Sequence, residues 1–332
     1  MKKEATESVL AVDLGGTSIV VGEVTPDGNV LGTKAYPSDT TTQSVALAAI
    51  IRAIDDYKGT IGFQAEKQLA IGIGLVGRVD EQRGIWIEIE PGKTEVLDVR
   101  GIIEQRYGLI CGIDNDVACA TKAEQQFGWG KESQNFIYLN VGTGIAAGMV
   151  AEGQYVNGAS FNSGEIGHMV VSMDSDVVCG CGRRGCVERI ASGLGLHERV
   201  TALRSQYPET SLPLPSPASG ERVAAPVIFE AAQGGDELAL KVSEDAAKAL
   251  AALIMNLVRV SDPDTIVLGG GVVKNDYFAG RIQSYLNPKT MRFVAHPLVQ
   301  TKQSTIEVGL AGAALAGWRA SKRNGEGMKS DG

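Results

Sequence analysis

Between Gly164 and Glu188 the chain reads GEIGHMVVSMDSDVVCGCGRRGCVE, and few backbones satisfy such a run except a loop wrapped around a metal ion. His168, Cys179, Cys181 and Cys186 offer one imidazole and three thiols, a set of four soft or borderline ligands that closes a structural zinc site. Glu165 and Glu188 flank the set. Gly180, Gly182 and Gly185 stand between and beside the cysteines, where a chain turning tightly about one ion needs positive φ and no Cβ. The alternative is three scattered core thiols, or a disulfide pair with a spare. Cys111 and Cys119 lie in apolar surroundings and read as small core residues.

The N-terminal MKKEATES passes straight into a strand-like run without a signal-peptide core, and nowhere do eighteen apolar residues stand together. The expectation is a soluble, cytoplasmic protein with no membrane partner, whose thiols stay reduced and available to metal. Its 332 residues suit two domains. A net charge of −8 with no basic run argues against nucleic acid as a partner and for small molecules. The 42 glycines gather near 15, 72, 142, 164, 180 and 269, as expected of turns where backbone amides approach a ligand closely.

Val9–Asp13 and Ser18–Val24 read as a hairpin, followed by a strand over Val30–Tyr36 and a helix over Ser44–Tyr57. Strands over Leu69–Leu75 and Leu109–Ile113 flank a helix over Val99–Arg106, giving the order β-β-β-α-β-α-β. Much the same order begins again at Asn135–Val141, Gly142-Thr143-Gly144 and Ala146–Ala151. Two halves that open alike suggest an internal duplication facing a cleft, against the plainer reading of two ordinary hairpins. Further on, helices are expected over Ile190–Leu203, Asp236–Val260 and Val308–Trp318, a Pro-rich loop over Pro208–Pro226, a buried strand over Asp264–Leu268, and fraying from Ser321.

Asp13-Leu14-Gly15-Gly16-Thr17 offers amides and a hydroxyl to an anion, with a carboxylate beside them. That carboxylate would repel a phosphate unless Mg²⁺ or a water lay between. Gly142-Thr143-Gly144 is a matching cradle, and Gly269-Gly270-Gly271 would let a helix start against a flat ring such as adenosine. Gly72-Ile-Gly74-Leu-Val-Gly77 has the letters of the dinucleotide fingerprint, but a polar turn over Arg78–Gly84, leading to a strand-like Ile85-Trp86-Ile87, follows where that motif needs a helix. No Walker A sequence is present: Gly130-Lys131 lacks the earlier glycine. Asp114-Asn115-Asp116 closes a strand and heads the helix Val117–Phe127, a place for catalytic groups in α/β folds and equally for a helix N-cap.

Taken in order, these motifs resemble the ROK family, the repressor, open-reading-frame and kinase group of the actin/hexokinase-type superfamily. The likeness covers Val9 to about Gly317, and CGCGxxGCxE after GEIGH is its most specific part. The resemblance implies an α/β, bilobal, ribonuclease-H-like fold with a zinc-binding loop. Its N-terminal lobe would span 1–116 plus about 306–332 and its C-terminal lobe 117–305. It implies an ATP-dependent sugar kinase acting on a hexose or hexose derivative, most often at the C6 hydroxyl. Asp116 becomes the general base, with Asn115, Glu165, His168, Glu188 and Gly77 on the sugar. Asp13, Gly15, Gly16, Thr17, Gly142, Thr143, Gly144, Gly270 and Gly271 fall to ATP, and Mg²⁺ to Asp13, directly or through water. The zinc is structural, and fixes His168 through one ring nitrogen so that the other can face the sugar. A homodimer is the family expectation. Only twelve residues precede Asp13, too few for the winged helix of the family's repressors. The alternative is a non-catalytic sugar sensor or a regulator without its own DNA-binding domain.

Several positions depart from the glucokinase-like pattern. Ala118 replaces an Asn, Val76-Gly77 a Pro-Gly, and Ala146-Ala147 a Gly-Gly; the sugar loop reads Ile89-Glu90-Pro91-Gly92-Lys93 where the family has Asn-x-Pro-Gly-Trp. Glu88 or Glu90 would then serve as a substitute polar contact, or both are solvated loop residues. The departures leave the sugar unnamed, and polyphosphate in place of ATP stays open.

Overall fold

The computed structural model describes residues 6–92, 94–213 and 221–327, so Lys93, Pro215 and Pro217 lie outside the described residues. The chain forms a mixed α/β fold in two compact units, one of residues 1–131, 157–162 and 302–332, the other of 132–156 and 163–301.

The first unit opens with β1 (Glu7–Leu14), β2 (Ser18–Val24) and β3 (Val30–Pro37), then α1 (Gln43–Thr60) and β4 (Lys67–Leu75). There follow β5 (Arg78–Asp80), β6 (Ile85–Glu88), β7 (Leu97–Asp98), α2 (Val99–Tyr107), β8 (Cys111–Asn115) and α3 (Asp116–Phe127). Its main sheet runs β3-β2-β1-β4-β8, with β1 antiparallel to β2 and parallel to β4. Strand alternation divides the apolar residues between two faces. Leu10, Val12, Leu14, Ile19 and Val21 pack with Ile50, Ile54 and Trp86; Val9, Ala11, Val20 and Val24 face the other way. Of the small antiparallel sheet β5-β6-β7, the sequence reading held only the strand-like Ile85–Ile87, and Arg78–Asp80, read as part of a polar turn, is strand β5. The strands of this sheet are too short to show alternation.

The second unit holds β9 (Phe136–Val141), β10 (Ile145–Ala151), β11 (Gln154–Tyr155), α4 (Glu188–Ala191), α5 (Gly193–Leu203), α6 (Ala225–Gln233) and α7 (Glu237–Ser261). It ends with β12 (Thr265–Gly269), α8 (Asp276–Ser284), α9 (Pro288–Met291) and β13 (His296–Gln300). The sheet order is β11-β10-β9-β12-β13, again a hairpin extended by two parallel strands. Ile137, Leu139 and Val141 pack with Leu250, Leu253, Ile254 and Leu257 of α7, whose start is capped by Asp236 accepting from Ala239 N–H.

The last helix, α10 (Thr305–Gly327), returns to the first unit and places Leu310, Ala313 and Ala314 against Val9, Ala11 and Val20. It lies so close that a Cβ on Gly72 would stand 1.9 Å from Ala313 O, and one on Gly112 2.0 Å from Ala316 O. These distances give Gly72 of the fingerprint-like string a packing role. Gly77 has φ +83° and no room for a Cβ beside Glu88 O at 2.3 Å.

Four expectations need correction. The helix over Ile190–Leu203 is two helices, because Ser192 is extended and its hydroxyl caps α5 by accepting from Gly195 N–H. Residues 208–213 and 221–224 of the expected loop carry no helix or strand, but α6 begins at Ala225, since proline fits a helix's first turn. No helix starts at Gly269–Gly271; α8 starts at Asp276, capped by Asn275. The terminal helix runs on past Ser321 to Gly327.

Candidate active site

Four groups of motif residues come together within the two units, two in each. In the first unit, β1 and β2 are paired as far as Leu14 and Ile19, leaving Gly15–Ser18 as the turn. Gly15 N–H donates to Ser18 O (2.9 Å), and Gly16 and Thr17 are exposed at the tip. Asp13 sits one residue back, half-buried, and draws no hydrogen bond from the described residues. Desolvation alone pushes its carboxyl up to about 6. Its surroundings are tight: a Cβ on Gly309 of α10 would lie 2.3 Å from Asp13 Oδ2. An unpaired, desolvated carboxylate beside exposed backbone amides suits a hard divalent cation with oxygen ligands, which makes Asp13 a fitting residue for Mg²⁺.

At the end of β8, Asn115 is the N-cap that its position allowed, and its side chain also holds Asp116. Its Oδ1 accepts from Ala118 N–H (2.9 Å) and caps α3. Its Nδ2 donates to Asp116 Oδ1 and to Gly77 O, both at 2.9 Å. Asp116 Oδ1 accepts as well from Val117 N–H (2.9 Å), so the carboxylate is oriented at the head of the helix. Under this segment lies a charged group that the sequence reading passed over. Asp114 Oδ1 accepts from Asn115 N–H (2.9 Å) while its Oδ2 takes Lys122 Nζ (2.5 Å), and Lys122 reaches Glu81 at 2.8 Å. Lys122 is buried on α3, and against its desolvation the two carboxylates hold its pKa above the ordinary lysine value. The clue was available as a lysine inside an otherwise small and apolar helix face.

Glu88 pairs with Arg78 (3.2 Å) and accepts from Thr94 Oγ1 (3.3 Å). Ile89 packs against the first unit's core, and Val76 O accepts from Trp86 Nε1.

In the second unit, Val141 and Ile145 are the last pair of β9 and β10, and Gly142, Thr143 and Gly144 form the turn. Gly193 N–H donates to Gly142 O (2.8 Å) and Leu194 N–H to Thr143 O (3.3 Å). The break before α5 therefore holds the turn by its carbonyls. Gly270, at φ +86°, lies against the end of β9, where a Cβ would meet Val141 O at 2.3 Å. Gly142, Thr143 and Gly271 line a 420 Å³ cavity together with Gly193, Leu194 and Arg222 and the start of α6. Gly193, Leu194, Arg222 and the start of α6 had no sequence signal, because the chain reaches the cavity through Ser192 and Pro226, which read as helix and loop.

The fourth group is the Cys/His cluster. The ligand atoms of His168, Cys179, Cys181 and Cys186 all lie within 4.8 Å of one another. His168 Nδ1 is 3.4 Å from Cys179 Sγ, and Cys181 Sγ is 3.6 Å from Cys186 Sγ. A tetrahedral ion with Zn–S bonds of about 2.3 Å sets its ligand edges at about 3.8 Å, so these atoms fit a zinc ion. His168 Nε2 turns the other way, to 3.8 Å from Glu165 Oε2. Gly182 and Gly185 have φ of +83° and +75° as the sequence reading required, whereas Gly180 does not adopt positive φ. Gly164, at φ +92°, lets the segment lie on β10, with Ala147 N–H donating to Gly164 O (2.9 Å). Glu188 opens α4 directly after the cluster, and its Oε2 accepts from Ile145 N–H (2.8 Å). No helix among the described residues is long and apolar enough to cross a membrane.

A profile of the ROK family matches residues 9–317. A glucokinase of Thermotoga maritima is 29% identical over 316 residues, covering 92% of this chain and 96% of that protein. An N-acetylmannosamine kinase of Yersinia pestis is 30% identical over 306 residues, covering 92% and 97%. The fold matches the crystal structure of a ROK family glucokinase from Streptomyces griseus in complex with glucose and AMPPNP, with TM-score 0.77, 26% identity, and 94% and 99% of the two chains covered.

Proposed function

The chain belongs to the ROK family, and on that premise we propose that it is an ATP-dependent kinase of a hexose or hexose derivative, with the C6 hydroxyl as acceptor. The observation that carries this reading is the Asn115-Asp116 pair, in which an N-cap side chain also holds a carboxylate in one orientation. Asp116 takes the proton of the attacking hydroxyl as that oxygen closes on the γ-phosphorus of ATP. Asn115, Gly77, Glu165, His168 and Glu188 hold the ring hydroxyls. Gly15, Gly16 and Thr17 of one turn and Gly142, Thr143 and Gly144 of the other bind the phosphates through backbone amides. Gly270 and Gly271 border the adenosine. Mg²⁺ at Asp13 would neutralise phosphate charge. A structural zinc at His168, Cys179, Cys181 and Cys186 would fix the ring of His168, leaving Nε2 for the substrate. We read the twin sheets as the two ribonuclease-H-like lobes of this kinase class, and the working assembly as a homodimer.

Ile89 in place of a polar sugar contact favours a substrate other than plain glucose. The test is coupled ADP release across hexoses, amino sugars and N-acetylated hexosamines, with and without Mg²⁺. Wild-type protein is expected to turn over at least one of them, and Asp116→Asn to lower kcat about 10²- to 10⁴-fold with sugar affinity and melting temperature nearly unchanged. Sugar-induced stabilisation without ADP release from any substrate would instead identify a non-catalytic sensor.

A further inference from the structure

We propose that Glu188 is a positioning residue for the second phosphate turn, so that one side chain ties the sugar-binding segment to the nucleotide; this rests on the sugar-kinase reading above. Three separate sequence motifs converge on a single oxygen. Glu188 Oε2 accepts from Ile145 N–H at 2.8 Å, the first amide after Gly142-Thr143-Gly144. A Cβ on Gly144 would stand 2.7 Å from that same oxygen, and a Cβ on Gly167, inside the Glu165–His168 segment, 3.1 Å from it. The two glycines therefore form the passage through which the carboxylate reaches the strand.

The opposite side of the turn is held by the same stretch of chain. Gly193 and Leu194, five and six residues after Glu188, donate to the carbonyls of Gly142 and Thr143. With the carbonyls and the Ile145 amide engaged, nothing among the described residues accepts from the amides of Thr143 and Gly144, which stay available to a phosphate. An ionised acceptor makes the stronger kind of hydrogen bond, and Ile145 is buried, so its N–H has no water to turn to if the carboxylate withdraws. Glu188 follows Cys186 by two residues. A sugar that draws on its other oxygen therefore acts on a group already fixed to the turn, and sugar and nucleotide favour each other's binding through it.

The experiment titrates a non-hydrolysable ATP analogue with Mg²⁺ into sugar-free protein, and separately a sugar into nucleotide-free protein. Glu188→Ala is expected to weaken the analogue about tenfold, the scale of one charge-assisted hydrogen bond. Glu188→Gln, whose amide oxygen still accepts from Ile145 N–H, is expected to restore analogue affinity to within about twofold of wild type while leaving sugar affinity impaired. Gly144→Ala is expected to weaken sugar about tenfold with no nucleotide present, by displacing the carboxylate. Wild-type analogue affinity in Glu188→Ala, or wild-type sugar affinity in Gly144→Ala, overturns the proposal and leaves the kinase reading intact. Should Glu188→Ala lose cooperative unfolding, the Gly144→Ala titration decides alone. If wild-type protein releases no ADP with any sugar, the kinase reading fails, and the analogue titrations still decide the role of Glu188.

Discussion

The turns Gly15–Ser18 and Gly142–Gly144 share a topology and differ in charge. Each closes an antiparallel hairpin whose first strand then pairs in parallel with a later one. In register, Asp13 stands one residue before the last strand pair of the first turn, and Asn140 one residue before that of the second. The carboxylate of the first turn is desolvated and unsatisfied by the described residues. The second turn has a neutral amide in that place, and its nearby carboxylate, Glu188, is spent on the backbone. Two hairpins of like topology thus differ in that one holds an unpaired carboxylate and the other is braced by one.

Exchanging the charges is the most direct way to break this distinction. Asp13→Asn is expected to cut turnover at least about a hundredfold and yet raise the melting temperature of metal-free protein at pH 7.5. The sign follows from linkage. Asp13 keeps its proton up to about 6 when folded, against the ordinary aspartate value of 3.8. The folded state then binds that proton more tightly than the unfolded chain. Stability falls as pH rises through this window, and above it the bare carboxylate costs about 1–3 kcal/mol. Mg²⁺ should stabilise wild type and not the variant. A lower melting temperature for Asp13→Asn would remove the distinction between the turns.

Asn140→Asp tests the other half. A carboxylate beside the second turn should weaken the ATP analogue about tenfold, with little effect on the Mg²⁺ requirement; unchanged affinity in a titration would mean that Asn140 is remote from the phosphates. Cys181→Ser, or chelation checked by metal analysis, loosens the segment ending in Glu188. We expect sugar affinity to fall about tenfold, analogue affinity about threefold, and Mg²⁺-dependent stabilisation through Asp13 not at all. Loss of the Mg²⁺ response would show that the two turns are not independent. The smallest effect belongs to Gly16→Ala. With no atom within 4 Å of its Cβ and no positive φ, its unfolding free energy in denaturant should lie within about 0.5 kcal/mol of wild type.

Much of this was legible in local pattern. The apolar run Val9–Asp13, the β-branched residues of Ser18–Val24 and the turn between them give the first hairpin, and Asn115 was legible as the cap of α3. The cysteine spacing anticipated four ligand atoms in one place. The remainder depends on partners distant in sequence. Gly72 is required by Ala313, which no window around Gly72 contains. Lys122 stands on a small and apolar helix face, and its partner Glu81 lies 41 residues away. Ser192 breaks a helix whose apolar spacing runs on, and its reward lies at Gly142, fifty residues earlier. Gly180 shows the converse: the spacing suggested a strained turn, and the backbone there has no need of glycine.

The return of α10 to the first unit bears on the order of assembly. Most of the second unit comes from one uninterrupted stretch of chain, 163–301, while the first needs α10 laid over Gly72 and Gly112. On a ribosome the second unit can be complete while the first still shows one bare face of its sheet, closed only by contacts across more than half the chain's length. We expect pulsed hydrogen exchange during refolding to protect β9, β12 and α7 before β1 and β4, since distant contacts form slowly. Equal protection of both units at the earliest times would contradict this order. The bare sheet would make the nascent first half the part of this molecule that most needs a chaperone.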